Sequence, residues 1–364
     1  MKISKSQRLF VWSLMLLFSI PASLQAQGKK MIQFSVAFYN QENLFDTIHD
    51  VLMKEIDGKM VKIADKNDYE FLPDGANKWG TMKYEAKLKN MSEVIAQLGT
   101  GGKTPVYPAV IGLSEVENRR VLEDLVKQPA LEKRGYEIIH IEGPDRRGVD
   151  CAYLYNPKQF KLESYDLIPY IYENNDTTYR TRGFLLATGT ILKEKFHFIV
   201  VHWPSRGATS PARERGGVQV RAIKDSLQQL DPAAHVVILG DMNDDPDDKS
   251  MVESLGTKRK QKECGPLDLW NPFWDTLRKD GQGSLLYKGK WNLFDHIVFT
   301  STLFGKGKAQ EIRYLRHEVF VRDFLFQTEG KYKGYPKRTH AGGVWLNGYS
   351  DHLPTIVFFG KEVK

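Results

Sequence analysis

The chain is short of several things, and each shortage excludes something. Cysteine occurs twice in 364 residues, at Cys151 and Cys264. That excludes a disulfide-dense scaffold, and no Cys-His zinc spacing is present. No apolar run approaches the about eighteen residues that a membrane-spanning helix needs. Neither sign of charge dominates, with 52 basic residues against 45 acidic ones. Internal repeats and low-complexity tracts are missing, which argues against solenoids and disordered interaction tails. Apolar residues nevertheless make up 41% of the chain, enough for a sizeable core.

The first residues stand apart. Lys2, Lys5 and Arg8 form a basic start, and residues 9–20 are mostly apolar but short for a bilayer. Pro21, Ala22 and Ser23 interrupt them, and small Ala26 offers a cleavage position before Gln27. Residues 1–26 therefore read as a signal peptide and 27–364 as a single domain. The protein is expected to be secreted or periplasmic, monomeric, and without stable membrane insertion once the signal is cleaved. An uncleaved anchor is the competing reading. Without the segment, 49 basic residues face 45 acidic ones, a net charge of +4. A mildly basic surface suits a polyanionic substrate without demanding one. Cys151 falls in an apolar run and Cys264 in a polar stretch, so a bridge between them is not expected.

Eight apolar runs have strand length: 34–39, 109–113, 151–155, 184–191, 196–203, 235–239, 294–299 and 355–359. They are rich in Val, Ile, Phe and Tyr, and some are apolar at almost every position, as in strands buried on both faces. Two helices show as apolar stripes at helical spacing. One is Tyr84, Leu88, Met91, Ile95 and Leu98; the other is Val220, Ile223, Leu227 and Leu230. Both stripes are core. Residues 46–80 read as an insertion or long loop. Residues 305–343 read as irregular and carry Lys331, Lys333, Lys337 and Arg338 with Tyr332 and Tyr335 between them. Strands mixed with helices and no linker imply one α/β domain.

The informative pattern is where polar residues fall. Strand-like runs lead into Asn40-Gln41-Glu42-Asn43, Ser114-Glu115-Val116-Glu117-Asn118, His202-Trp203-Pro204-Ser205-Arg206 and Asp241-Met242-Asn243-Asp244-Asp245. Asp295-His296 and Ser350-Asp351-His352 open two more. Taken singly, each has an ordinary explanation. An Asp-His is usually a surface or satisfied core pair, Gly-Asp-Met-Asn fits a turn, and a Glu in Ser-Glu-Val-Glu could cap a following helix. Six such ends brought together would make a nest of carboxylates, amides and imidazoles that needs positive charge among them. Oxygen donors without thiolate favour Mg²⁺, Mn²⁺ or Ca²⁺.

In order along residues 38–354, these pieces resemble the endonuclease/exonuclease/phosphatase family. The matching segments are Phe38-Tyr39-Asn40-Gln41-Glu42-Asn43-Leu44-Phe45-Asp46, Ile111-Gly112-Leu113-Ser114-Glu115-Val116-Glu117-Asn118 and Arg147-Gly148-Val149-Asp150-Cys151-Ala152-Tyr153. They continue in Val201-His202-Trp203-Pro204-Ser205-Arg206, Leu239-Gly240-Asp241-Met242-Asn243-Asp244, Phe294-Asp295-His296-Ile297 and Tyr349-Ser350-Asp351-His352. The resemblance implies a four-layer α/β sandwich, two mixed β-sheets packed face to face with helices outside. It also implies roles. Glu115 is the principal metal ligand, with Glu42, Asp351 and Asn40 beside it and Mg²⁺ the expected ion. Asn40, for which Asn43 is the rival, and Asn243 contact phosphate. Asp241 deprotonates the attacking water. His352, oriented by Asp295, stabilises charge on phosphorus. His202 resembles a second histidine of the deoxyribonuclease branch, an acid on the leaving oxygen, with Asp150 as its partner. Arg182 resembles that branch's phosphate-binding arginine; Arg206 adds phosphate affinity without a firm counterpart in the family. A histidine where abasic-site endonucleases carry an aromatic argues against that specificity.

The expected activity is hydrolysis of a phosphodiester by activated water, with a nuclease placed first. A phosphodiesterase or phosphatase acting on lipid headgroups or small phosphate esters is the alternative. A binding module that has lost catalysis is the third reading, and the intact acids and histidines argue against it.

Overall fold

Alternation along the strands decides the architecture. The structure is a computed structural model that describes residues 30–172, 180–305 and 310–363, so the proposed signal peptide lies outside the described residues. All eight apolar runs fall on strands. In His235–Asp241, Val237 and Leu239 join one core while Val236 and Ile238 join another. In Glu194–His202, Phe196, Phe198 and Val200 face the first core and Ile199 and Val201 the second. A strand with apolar layers on both sides must be apolar at successive positions.

Two large sheets result. In the six-stranded sheet the order is Ile312–Val319, Thr355–Val363, Lys30–Leu44, Pro108–Val116, Asp150–Tyr155 and Glu137–His140. In the seven-stranded sheet it is Thr257–Lys258, Leu269–Trp270, Asp295–Thr300, His235–Asp241, Glu194–His202, Phe184–Ile191 and Phe160–Ile168. Both are mixed. Lys30–Leu44 runs parallel to Pro108–Val116 and antiparallel to Thr355–Val363. His235–Asp241 runs parallel to Glu194–His202 and antiparallel to Asp295–Thr300.

The sheets pack face to face. The Phe34 ring meets Phe196 edge-on at 5.8 Å, and Phe299 meets Phe359 at 5.2 Å. At Gly112 the approach is so close that a Cβ would lie 2.8 Å from Leu239 Cδ1 and 3.1 Å from Val200 Cγ2. Helices Thr81–Gln97 and Arg119–Val126 contribute Leu88, Met91, Ile95, Val121 and Leu125 to the core. Helix Ser210–Leu230 packs Val220 with Trp203, Ile199 and Ile238. These layers form the expected four-layer sandwich. Among the described residues, no helix is long and apolar enough to cross a membrane.

Four local expectations are corrected or refined. Leu230 does not complete its stripe: it is 87% exposed at the last helical turn. The helix that follows Ser-Glu-Val-Glu is Arg119–Val126, and Asn118, not a glutamate, caps it by accepting a hydrogen bond from Val121 N. Residues 46–80 hold an antiparallel hairpin, Val51–Ile56 with Lys59–Asp65, and a small core of Phe45, Phe71, Trp79 and Val149. Residues 305–343 contain the edge strand Ile312–Val319. Both cysteines are free.

Candidate active site

The same alternation that builds the inter-sheet core delivers its polar end. Counting by twos, Val36 and Phe38 lead to Asn40, Phe198 and Val200 to His202, Val237 and Leu239 to Asp241, and Phe299 and Ile297 back to Asp295. All four side chains fall on the inward side at one end of the sandwich. The connecting turns leave the extended conformation there. Glu42, Asn43, Glu115 and Asn243 have φ of 45°, 60°, 58° and 52°, left-handed backbone that non-glycine residues rarely adopt. Glu115 also sits at a register shift between Pro108–Val116 and Asp150–Tyr155, which turns its carboxylate out of the ladder. Strain of this kind persists where surrounding structure over-determines it, and it gathers at functional sites.

One line of groups runs through the site. His352 Nδ1 lies 2.7 Å from Asp295 Oδ2, and its Nε2 lies 3.7 Å from Asp241 Oδ2. Ser284 Oγ donates to the same oxygen of Asp295. Asn40 donates through Nδ2 to Asp241 Oδ2 at 3.0 Å and accepts the Glu42 N–H at 2.8 Å. Burial opposes charge on His352, yet Asp295 and Asp241 hold its pKa well above 6.5. Opposite unit charges about 4 Å apart attract by roughly 4 kcal/mol at an effective dielectric near 20. Burial, with Asp295 and Glu115 adding and His352 opposing, pushes Asp241 up to about 7. Asp241, Asp295 and His352 are close enough to resemble a metal site. The protonated imidazole between the two carboxylates offsets one of their two charges, so this group works as an acid-imidazole-acid line.

A second group of charges adjoins the first. Arg338 Nε donates to Glu42 Oε1 at 2.8 Å, and its Nη2 lies 3.0 Å from Asp351 Oδ2. Thr339 N donates to the other oxygen of Glu42 at 2.7 Å. Lys87, fully buried, donates to Thr339 Oγ1 and to the Tyr349 carbonyl. Burial and Asp351 push Glu42 up to about 7 against the pull of Lys87, Arg338 and the Thr339 amide. Burial brings Lys87 down to about 8, against Glu42, Asp351 and Glu115.

The residues fit a divalent metal. The donors are oxygens, and Glu42, Glu115, Asp241 and Asp351 bring together carboxylates whose charge a cation would offset. Glu115 is the best-placed ligand. Among the described residues its one hydrogen bond is from Asn43 N at 3.1 Å, and Arg147 stands 3.5 Å away. Asp351 is partly exposed and second in line.

Several expected roles change. Asp150 does not pair with His202; it accepts from His140 at 3.1 Å and from Gly143 N at 3.0 Å. The loop that carries Gly143 folds onto it, and among the described residues His202 Nδ1 has no partner. His202 Nε2 instead lies 3.6 Å from Asp241 and 3.8 Å from Glu115. Burial, then Arg182, Arg147 and His352, push its pKa well below 6.5, which favours the neutral ring. Arg182 is buried and committed to Asp145 at 2.9 Å and the Trp203 carbonyl at 3.1 Å, not presented to phosphate. Arg206 is tied to the Asn243 carbonyl and Asp248 and lies over Phe294 at the rim. Asn243 donates its amide to the Trp203 carbonyl and its N–H to Asp241 Oδ1. Glu42, expected as a ligand, has both oxygens engaged by the 338–339 turn. Asn40 is likewise engaged at both amide atoms and orients Asp241. Sequence reasoning missed the site roles of Lys87, Ser284, Arg147 and Arg338. Lys87 had a signal: it interrupts the apolar stripe at helical spacing, three after Tyr84 and four before Met91.

Residues 35–361 match the sequence profile of the endonuclease/exonuclease/phosphatase family. No curated protein sequence matches the chain. Among solved structures, ANGEL2, a 2',3'-cyclic phosphatase, superposes with a TM-score of 0.58 at 14% identity, covering 93% of this chain and 100% of that one. An endonuclease/exonuclease/phosphatase family protein from Bacteroides thetaiotaomicron gives 0.54 at 15% identity, covering 92% and 97%. A mannosyl-6-phosphatase from Bacteroides thetaiotaomicron gives 0.52 at 16% identity, covering 90% and 99%. At these identities the likeness establishes a shared fold.

Proposed function

This chain belongs to the endonuclease/exonuclease/phosphatase family, and from that premise we propose that it hydrolyses a phosphate ester by direct attack of a water activated at Asp241. The observation that carries this reading is the line Asp295–His352–Asp241, closed by Asn40. Asp241 is held by Asn40 and by the Asn243 N–H, so its carboxylate is aimed before substrate arrives. A carboxylate raised to about 7 is a competent base near neutral pH. His352, kept protonated by Asp295, places a positive N–H beside the charge that develops on phosphorus. Neutral His202, beside Asp241, serves as a hydrogen-bonding group. Glu115, with Asp351, would hold the divalent ion, taken as Mg²⁺, whose chemistry is to polarise a phosphate oxygen and steady the leaving oxygen. The reaction breaks the bond from phosphorus to the leaving oxygen and forms one to the water oxygen, in a single displacement.

For the substrate, a cleft of about 570 Å³ lined by Asp351, Arg338, Leu286, Tyr287 and Tyr335 favours a compact phosphate ester. The nuclease reading rests on the basic-aromatic run from Lys331 to Arg338. The N-terminal segment supports export, which N-terminal sequencing of protein recovered from periplasm and medium would test. The activity test offers purified protein an aryl phosphate, a sugar phosphate, a nucleotide, sphingomyelin and plasmid DNA, with Mg²⁺ and with chelator. Chelator should abolish turnover, and Asp241→Ala or His352→Ala should lower it by about three decades. Normal turnover in either variant would remove these roles.

A further inference from the structure

The catalytic line does not open onto a bare sheet edge. Asp351 and Arg338 form one wall of a cleft of about 570 Å³. Its other walls are three short pieces of chain: the hairpin Leu285–Tyr287 with Lys290–Asn292, the turn 327–336, and the hairpin His340–Ala341 with Val344–Trp345. Leu286, Tyr287, Tyr332, Tyr335 and Leu346 supply its apolar and aromatic surface.

These walls are fastened to the catalytic residues. Leu285 bridges to His352, and Leu353 N donates to the Ser284 carbonyl at 2.8 Å. Ser284 also holds Asp295. The turn 327–336 is closed by Gln327 N on the Tyr335 carbonyl, and Tyr349 N donates to the Lys337 carbonyl. The rings of Tyr332 and Tyr335 meet edge-on at 5.6 Å. Lys331 lies 5.5 Å from the Tyr332 ring, and Lys288 lies 5.2 Å from the Tyr287 ring. The cleft is thus built before substrate arrives, and its volume lies within the range of small-molecule sites, about 300–1,000 Å³.

We propose that this cleft receives the organic part of the substrate, and that this part is a single ring-bearing polar group, a nucleoside or a sugar, joined to the phosphate at Asp241 and His352. The proposal rests on the phosphoesterase reading and adds the substrate class. A glycerol-sized group would leave the tyrosines and leucines facing water. A flat or chair-shaped ring covers them, and its polar edge meets the lysines, Gln327 and Arg338.

The test is a binding titration in EDTA, so that no turnover occurs. The probes are adenosine 5'-monophosphate, glucose 6-phosphate, glycerol 3-phosphate and a ten-residue oligothymidylate. At least one ring-bearing phosphate should bind about tenfold more tightly than glycerol 3-phosphate, a difference a single stacked ring can supply. The two ring-bearing arms distinguish nucleoside from sugar. Tyr332→Ala combined with Tyr335→Ala should remove the preference while glycerol 3-phosphate binding and the melting temperature stay unchanged. Tyr287→Ala, at a side chain 60% exposed, should weaken the same preference without risk to folding. Equal binding of ring-bearing and acyclic esters by the unaltered protein would overturn the proposal. A preference that survives all three tyrosine changes would overturn it too. So would tightest binding of the oligothymidylate with steep salt dependence, which would mark a strand-binding groove. With Mg²⁺ restored, failure to cleave any ester would defeat the phosphoesterase reading and leave the binding preference standing.

Discussion

Asp241 and His352 share one electrostatic problem. A buried carboxylate resists charge and a buried imidazole resists protonation, yet side by side each makes the other's charged form tolerable. Lys87 solves the same problem for Glu42 and holds the Thr339 hydroxyl and Tyr349 carbonyl that bracket the cleft-bearing segment. Replacing it by Met removes those donors and uncovers Glu42. We expect Lys87→Met to cost about 3 kcal/mol in urea unfolding, the scale for breaking a buried charge network. An unaltered urea midpoint would show that Lys87 has no such load. Lys87 was readable as a lysine inside an apolar stripe. The exchange of His140 for His202 as the partner of Asp150 was not, because nothing in local spacing says which histidine a loop will bring to a strand end.

At the scale of elements, the strands that carry the site were legible because they are apolar on both faces. The edge strand Ile312–Val319 was not. Only its first and last residues are buried, and Arg313, Arg316 and Glu318 break any apolar run. Its existence depends on Thr355–Val363, with which it pairs. The closeness of the two sheets also turns on a single residue. A side chain at Gly112 meets Leu239 and Val200, so Gly112→Val should lower stability by about 2 kcal/mol through overpacking. It should also spread the two strand ends that hold Asn40 and Asp241. Denaturant unfolding reads the first effect; a loss of turnover exceeding the unfolded fraction reads the second.

At the scale of the whole molecule, stability should depend on both pH and metal. His296 and His317 are brought down to about 4 by burial, against an ordinary 6.5. The unfolded chain therefore binds more protons between those values. The stability these neutral rings contribute is complete above 6.5 and lost as pH falls towards 4, on the order of 3 kcal/mol for each ring. The melting temperature should fall across that window, and less steeply in His317→Gln; an identical slope would exclude His317 as a cause. Metal acts in the other direction. Mg²⁺ at a hundredfold over its dissociation constant should stabilise the fold by about 2.7 kcal/mol. Glu115→Gln should abolish that thermal shift, and a full shift in the variant would place the ion elsewhere. The sequence by itself determined the strands that carry the site and the chemistry at their ends, because apolar runs and the charged residues beside them are local facts. Only the tertiary structure decided which charges meet. It turned Glu42 towards Arg338, Arg182 towards Asp145 and Asp150 towards His140, and it raised a cleft beside Asp351. Pairing of charges between different strands and loops depends on how those elements dock, and no spacing along the chain records that.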